Sequence, residues 1–271
     1  MTTRFRIILS SITIPLLFIF LTALNINNPF FVQYKSLIIT GVLALLEMLF
    51  VAWIVSYKLR GERLFTVLVF PALSLAVVIS FISVLITSSG SDLDKFSTAT
   101  FATIALFIIT YILSANINIL NLAAIDNIPL GQAGRAVHYV LTMMFSYFFF
   151  VLLISWDINY LLKSVIVFLF IFTYTFVALW TISLAYKQRI TSTIGISTIL
   201  TFVFFILGLW PLDSFYFALF MVLIFYMCLG VALEIREIIG KWIWYEYAIL
   251  FLIILVLLLA TAKWGIDGTI I

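Results

Sequence analysis

The sequence predicts an all-α integral membrane protein, a bundle of about nine transmembrane helices joined by short loops. The first observation is composition: of 271 residues, 66% are apolar, 9% are charged and 28 are Phe, which a soluble domain of this length cannot hide from water. The second is that the apolar runs are about 20 residues long, which matches a bilayer core of about 30 Å. The third is that Lys and Arg gather between alternate runs.

The apolar runs are predicted spans in chain order, and the whole chain, 1–271, is expected to form a single polytopic transmembrane domain. Membrane β-strands would be about half as long and would alternate in polarity, so strands are a poor alternative. The first run is too long for a signal peptide and lacks a cleavage site, which indicates an uncleaved span. The seventh is the weakest because hydroxyl residues dilute its first half. The segments are roughly 7–24, 36–56, 64–87, 99–118, 137–155, 160–184, 192–210, 214–234 and 243–262.

Loop charges predict the orientation, since Lys and Arg mark the cytoplasmic side of short loops. Ten of the 14 basic residues fall before span 1 and in every second loop after it, against four on the other side. We therefore expect a cytoplasmic N-terminus, an outside C-terminus and a location in a cell membrane. The ten are Arg4, Arg6, Lys58, Arg60, Arg63, Arg135, Lys187, Arg189, Arg236 and Lys241.

The longest connection, residues 119–135, is the one candidate for a cytoplasmic gate or docking surface. The alternative is that the fourth helix overruns the membrane and ends before Pro129, because the residue before a proline disfavours helical backbone. We favour the overrunning helix.

Three predicted helix ends on the outer side share a Trp with an Asp within three positions. Trp156, Trp210 and Trp264 are spaced 54 residues apart, which is consistent with duplication of a two-helix hairpin. Two spans and two loops also occupy about that length, and Trp is the usual interfacial anchor, so we favour anchoring over a repeated functional motif. Asp157 and Asp213 are expected to cap spans 6 and 8.

Catalytic and cofactor motifs are missing from the sequence. There is one histidine, His138, and one cysteine, Cys228, and neither a zinc-binding H-E-x-x-H, a G-x-S-x-G elbow nor a phosphate loop occurs. We therefore expect no cofactor and no metal. The basic residues are scattered between apolar runs rather than gathered in a stripe, so we expect the lipid bilayer, and no nucleic acid, as partner.

Two sets of polar residues remain as weaker candidates for a site. Asp126, Arg135 and His138 lie near the cytoplasmic face, where they are candidates for binding an anionic headgroup, although a polar helix end is the more common use of such residues. Hydroxyl groups follow helical spacing in span 4 and either serve helix packing or line a path for a polar solute. That stripe comprises Thr100, Thr103, Thr110 and Ser114.

Glu47 is the main candidate, because it places a carboxyl group about 11 residues from either end of span 2. An ionised residue at that depth costs about 2.5–3.5 kcal/mol, so Glu47 is expected to face the bundle interior, paired or protonated. Thr40 and Ala44 make the same face small enough for a neighbouring helix. Glu47 is then either a proton-carrying group of a carrier or a buried hydrogen-bond donor.

Three classes of function follow from these observations. The first is a non-catalytic membrane component that assembles with other membrane subunits, which the lack of motifs favours. The second is a carrier for a small solute, proton-linked through Glu47. The third, with the least support, is an enzyme acting on lipid at the cytoplasmic face; on balance the sequence favours a protein that is not an enzyme.

Overall fold

The computed structural model of the protein describes residues 2–24, 29–56, 61–88, 92–126, 130–182, 184–210, 212–234 and 241–261, and these ranges contain helices and no strand. Eight of the helices are long and apolar enough to cross a membrane, and the ninth contributes a shorter apolar stretch, Tyr245–Leu257. The predicted all-α membrane bundle of about nine helices is confirmed. The helices are α1 Thr3–Ala23, α2 Pro29–Ile54, α3 Glu62–Ser88, α4 Asp92–Asp126, α5 Gly131–Ser155, α6 Tyr160–Trp180, α7 Tyr186–Leu207, α8 Ser214–Glu234 and α9 Lys241–Thr261.

Helix α4 is longer than its predicted membrane span and continues through residues 119–126, about half of the connection after it. Its last residue is Asp126, so the prediction of a helix that overruns and ends before Pro129 is confirmed. Helix α7 begins at Tyr186, six residues before the predicted start at 192. Three of the hydroxyl groups that weakened this span bond within the helix: Thr191 donates to the Lys187 carbonyl, Ser197 to that of Thr193 and Thr201 to that of Ser197. Because the helix itself supplies their acceptors, these residues are tolerated in a span.

The exposed side chains of the helices are largely apolar, as is expected of a protein that contacts lipid. Large apolar side chains project from many helices, and among them Leu37, Phe101, Leu169, Phe202 and Leu252 are each more than half exposed. In water such surfaces would mark interaction sites, whereas in a bilayer they are ordinary lipid-facing surfaces. The protein is therefore an integral membrane protein in contact with lipid.

The chain forms two compact units, Met1–Val140 and Leu141–Ile271, and the boundary falls inside α5. In the first unit, α2 packs against α3, and α4 packs against α1 and α3. Fully buried Ile14, Leu43, Val67 and Leu106 contribute to its core. The single-domain prediction stays a prediction, since α5 contributes to both units.

Two glycines at the start of α5 allow it to approach α4 closely. A Cβ atom at Gly134 would lie 2.9 Å from Cγ2 of Ile119, and one at Gly131 would lie 2.9 Å from Cβ of Ala123. The short distance also lets the side-chain amide of Asn116 donate a 2.7 Å hydrogen bond to the Gly134 carbonyl. Small residues at a helix contact and an inter-helix hydrogen bond are the usual means of association in membranes.

The second unit is packed by aromatic side chains. The rings of Phe149 and Phe170 stack with their centroids 3.6 Å apart, and Tyr174 continues the stack at 4.1 Å from Phe170. At the other end of α6, the Tyr160 hydroxyl donates a 2.7 Å hydrogen bond to the Phe204 carbonyl of α7. The contacts continue in chain order, α6 with α7, α7 with α8 and α8 with α9.

Asp157 and Asp213 were expected to cap α6 and α8, and only Asp213 lies directly before its helix. The prediction that Asp157 caps α6 is wrong, because the cap is Asn159, whose side-chain oxygen accepts a 3.0 Å hydrogen bond from the Leu161 amide. Asp213 directly precedes α8, and its main-chain carbonyl accepts from the Phe217 amide at 2.9 Å. Trp156 is exposed and Trp210 half-buried, whereas Trp264 lies outside the described residues.

Candidate functional site

Glu47 lies on the inner face of α2. Leu43, Glu47 and Val51 recur every four residues and are buried, while Leu45 and Leu49 on the other side of the helix are exposed. The membrane-crossing part of α2 is Tyr34–Ile54, and its midpoint is residue 44. Glu47 is three residues beyond that midpoint, about 4.5 Å along the axis at about 1.5 Å per residue. Its carboxyl group is thus fully buried in the first unit, close to the middle of the helix.

One serine contacts this carboxyl group from another helix. The Ser114 hydroxyl of α4 donates a 3.2 Å hydrogen bond to Oε1 of Glu47, and both side chains are buried. The second carboxyl oxygen, Oε2, has no hydrogen-bond partner among the described residues. Within the same residues, no Lys or Arg pairs with Glu47, so its described surroundings contain a neutral donor and no compensating positive charge.

The hydroxyl stripe of α4 is buried only in its second half. Thr100 is exposed and Thr103 is half-buried, whereas Thr110 and Ser114 are buried. The three threonines each donate to a carbonyl four residues earlier in α4, which satisfies them within the helix. Ser114 is the member of the stripe whose hydroxyl reaches another helix. The structure therefore brings together two residues, Glu47 and Ser114, that were separate candidates in the sequence.

A second group of buried polar side chains lies on α4 and α5. His138 is buried, and its ring packs against Phe70 with the centroids 4.3 Å apart. Neither ring nitrogen of His138, nor the side-chain oxygen of Asn116 or Asn121, has a hydrogen-bond partner among the described residues. Buried polar atoms are almost always satisfied in native proteins, so these atoms are candidates for contacts with water or a ligand.

Asn116 was missed by the sequence reasoning, although a signal for it exists. It follows Ser114 by two residues, which places it about 200° further round the helix, outside the hydroxyl stripe. Both positions are nevertheless buried. A helix that carries polar residues on two opposite faces in the middle of an apolar run is expected to have neighbours on both sides.

Of Asp126, Arg135 and His138, the three residues predicted to lie near the cytoplasmic face, the structure describes the side chains of the last two. Arg135 is exposed and its Nε donates to the Gly131 carbonyl of its own helix at 3.3 Å, whereas His138 is buried. The side chain of Asp126 lies outside the described residues. The same part of the chain holds no cluster of three or more His, Cys, Asp or Glu side chains that would bind a metal ion.

The chemistry available to Glu47 follows from its surroundings. A carboxyl group held by one neutral donor, with its other oxygen unpaired, accepts a proton without losing that hydrogen bond. The buried ionised form is stabilised only when water, a cation or a polar solute reaches it. Comparisons with protein families, with curated proteins and with solved structures find no match to this chain.

Proposed function

We propose that the protein is a carrier for a small solute whose movement is linked to a proton on Glu47. The observation that supports the proposal is the fully buried Glu47 carboxyl group, bonded by Ser114 through one oxygen and unpartnered through the other among the described residues. Ser114 can remain hydrogen-bonded to Oε1 whether Glu47 is protonated or ionised, so this contact allows the proton to come and go.

The coupling has a simple energetic basis. Insertion scales assign about 2.5–3.5 kcal/mol to an ionised residue at the centre of a membrane helix, so the empty, closed carrier keeps Glu47 protonated. Entry of water or of a polar solute lowers that cost and permits the proton to leave. Proton release and solute access therefore favour the same conformation, which is the condition for coupled transport.

The competing function is a non-catalytic component of a larger membrane assembly. It accounts for the missing motifs, and a partner subunit could share with lipid an apolar surface such as that of α9, where Ile249, Phe251 and Leu252 are exposed. It gives Glu47 no role beyond packing. The lipid-acting enzyme has less support, because Arg135 and His138 differ in exposure and do not share a described contact.

Reconstituted protein tests the carrier proposal directly. Liposomes containing the wild-type chain and a trapped pH-sensitive dye are expected to change their internal pH when one of a panel of amino acids, sugars and small amines is added outside. The same solute, radiolabelled, is expected to accumulate only while a pH gradient is imposed. Solute movement that ignores the gradient, or none across the panel, would leave the assembly component as the better explanation.

The proposed orientation, with the N-terminus cytoplasmic and the C-terminus outside, rests on the ten basic residues of the alternate loops. A fluorescent protein that matures only in the cytoplasm is expected to fluoresce when fused before Met1 and to stay dark when fused after Ile271. A periplasmic or lumenal reporter at the same two sites should give the opposite pattern. Fluorescence from both termini would require an even number of spans and would contradict the orientation.

A further inference from the structure

A groove of about 380 Å³ lies between α1 and α2 in the first unit, lined entirely by apolar and aromatic side chains. Its volume falls in the range of about 300–1,000 Å³ that is typical of ligand pockets. The lining residues are Leu9, Leu46, Leu49, Phe50 and Trp53. Leu9 and Leu49 are exposed, so the groove opens on the lipid-facing surface of α2 and not toward buried Glu47.

A positive charge lies at the Trp53 end of this groove. The Arg6 guanidinium carbon is 5.2 Å from the centroid of the Trp53 ring, and its Nη1 donates to the Trp53 carbonyl at 2.7 Å and to the Ser56 hydroxyl at 3.1 Å. No acidic side chain among the described residues pairs with Arg6, and its Nη2 group donates to none of them. Exposed Arg4 lies two residues earlier in the same helix. The cation is thus fixed in position, and no described side chain compensates its charge.

We propose that this groove, the Arg6 groove, binds an anionic phospholipid, with an acyl chain along the apolar lining and the phosphate group at Arg6. The arrangement matches both parts of the lipid: the apolar groove lies on the surface of two helices long enough to cross a membrane, and Arg6 bonds to the last turn of α2, where that span ends. Basic pockets between membrane helices on the cytoplasmic side are recognised sites for anionic headgroups. A zwitterionic lipid offers the same chains but no net charge to Arg6.

The position of Arg6 also has a purely structural use, and the two uses differ in what they predict. A cation near the last carbonyl groups of α2 stabilises the helix end, whatever the lipid. A lipid site adds a stabilisation that depends on the charge of the lipid and on free space in the groove. The difference between two lipids with identical chains therefore isolates the proposed site.

The experiment measures the thermal unfolding midpoint of the purified chain in detergent micelles supplemented with phosphatidylglycerol or with phosphatidylcholine of the same acyl chains. We expect a midpoint several degrees higher with phosphatidylglycerol, because a ligand that binds the folded state stabilises it. Leu49→Trp, which fills the groove, and Arg6→Gln, which removes the cation, are each expected to lose most of that difference. Inorganic phosphate alone is expected not to reproduce it.

Two matched controls make the result specific. Leu45 is 63% exposed, as is Leu49, and lies one turn away on α2 outside the groove lining, so Leu45→Trp should keep the full lipid difference. Arg135 is an exposed arginine whose described bond is within its own helix, so Arg135→Gln should keep it as well.

Three results would overturn the proposal. Equal midpoints in the two lipids mean that the charge is not recognised, and an unchanged difference in Leu49→Trp means that the lipid binds elsewhere. Stabilisation by inorganic phosphate equal to that by phosphatidylglycerol means that the site takes a free anion. If Arg6→Gln fails to fold, the Leu49→Trp comparison still decides, since the exposed Leu49 side chain leaves room for the larger ring.

Discussion

The Glu47→Gln protein is expected to fold and reach the membrane in wild-type amounts, yet to lose gradient-driven accumulation of solute down to the level of empty liposomes. Glutamine has the shape of a protonated glutamate, and its side-chain oxygen still accepts the 3.2 Å hydrogen bond from Ser114. It carries no proton that leaves near neutral pH. The measurement is accumulation of the solute inside liposomes against its concentration gradient. The thermal unfolding midpoint is recorded on the same preparation.

Glu246→Gln is the matched control, because Glu246 is an exposed glutamate on α9 and the substitution is chemically the same. It should leave both uptake and the midpoint unchanged. A Glu47→Gln protein that accumulates solute with the original pH dependence would exclude Glu47 from the transport cycle. Glu47→Leu adds a further comparison. Leaving a buried polar group without its hydrogen-bond partner costs about 1–3 kcal/mol of folding stability. We expect Glu47→Leu to lose an amount near the low end of that range, because the Ser114 hydroxyl can instead donate to the Thr110 carbonyl of its own helix.

Gly208→Ala is expected to produce the largest loss of stability among the single-methyl changes that the second unit offers. A Cβ atom at Gly208 would overlap the Tyr160 hydroxyl, which is held in place by its hydrogen bond to the Phe204 carbonyl. Displacing the ring breaks that bond, worth about 0.5–1.5 kcal/mol, and overpacking adds about 1–3 kcal/mol. These costs exceed the gain of about 0.4–1 kcal/mol that Gly→Ala gives through the unfolded chain. Thermal unfolding in detergent measures the sum.

Gly195→Ala is the control on the same helix, since no atom lies within 4 Å of the added methyl group. Without a steric cost, that variant should unfold at the wild-type temperature or slightly above it. Equal behaviour of the two variants would show that Tyr160 moves away from Gly208 freely and that its hydrogen bond contributes nothing to the contact between α6 and α7.

Most of the fold was predictable because span length is set by the bilayer and recorded in the apolar runs. The errors fall where local chemistry decides a boundary. Span 7 was placed six residues late because Lys187 and Arg189 were assigned to the loop before it, whereas α7 begins at Tyr186 and includes both. Asp157 was chosen as the cap of α6 because it lies just before the predicted start at 160. The start was right, but Asn159 is the residue directly before Tyr160, and its side chain supplies the cap.

The candidate site was predictable only in part. The apolar flanks of Glu47 were sufficient to predict an inward-facing carboxyl group, because an exposed charge near the midplane is costly. Its partner was not predictable, since Ser114 lies 67 residues away and the two meet only through the relative rotation of α2 and α4. Asn116 and His138 looked ordinary for a related reason: burial depends on which neighbours a helix acquires, and one sequence without its packing does not record that.

The separation between Glu47 and Ser114 also sets an order of events during synthesis. Asn116 and Gly134 are 18 residues apart and can bond as soon as α5 follows α4, whereas Glu47 precedes its partner by 67 residues. At about 5–20 residues per second, α2 waits roughly 3–13 s for the ribosome to supply Ser114. During that interval the carboxyl group must enter the bilayer without its serine. The membrane-crossing part of α2 that follows Lys35 contains no other charged residue, so its apolar side chains alone must carry Glu47 into the membrane before the rest of the unit exists.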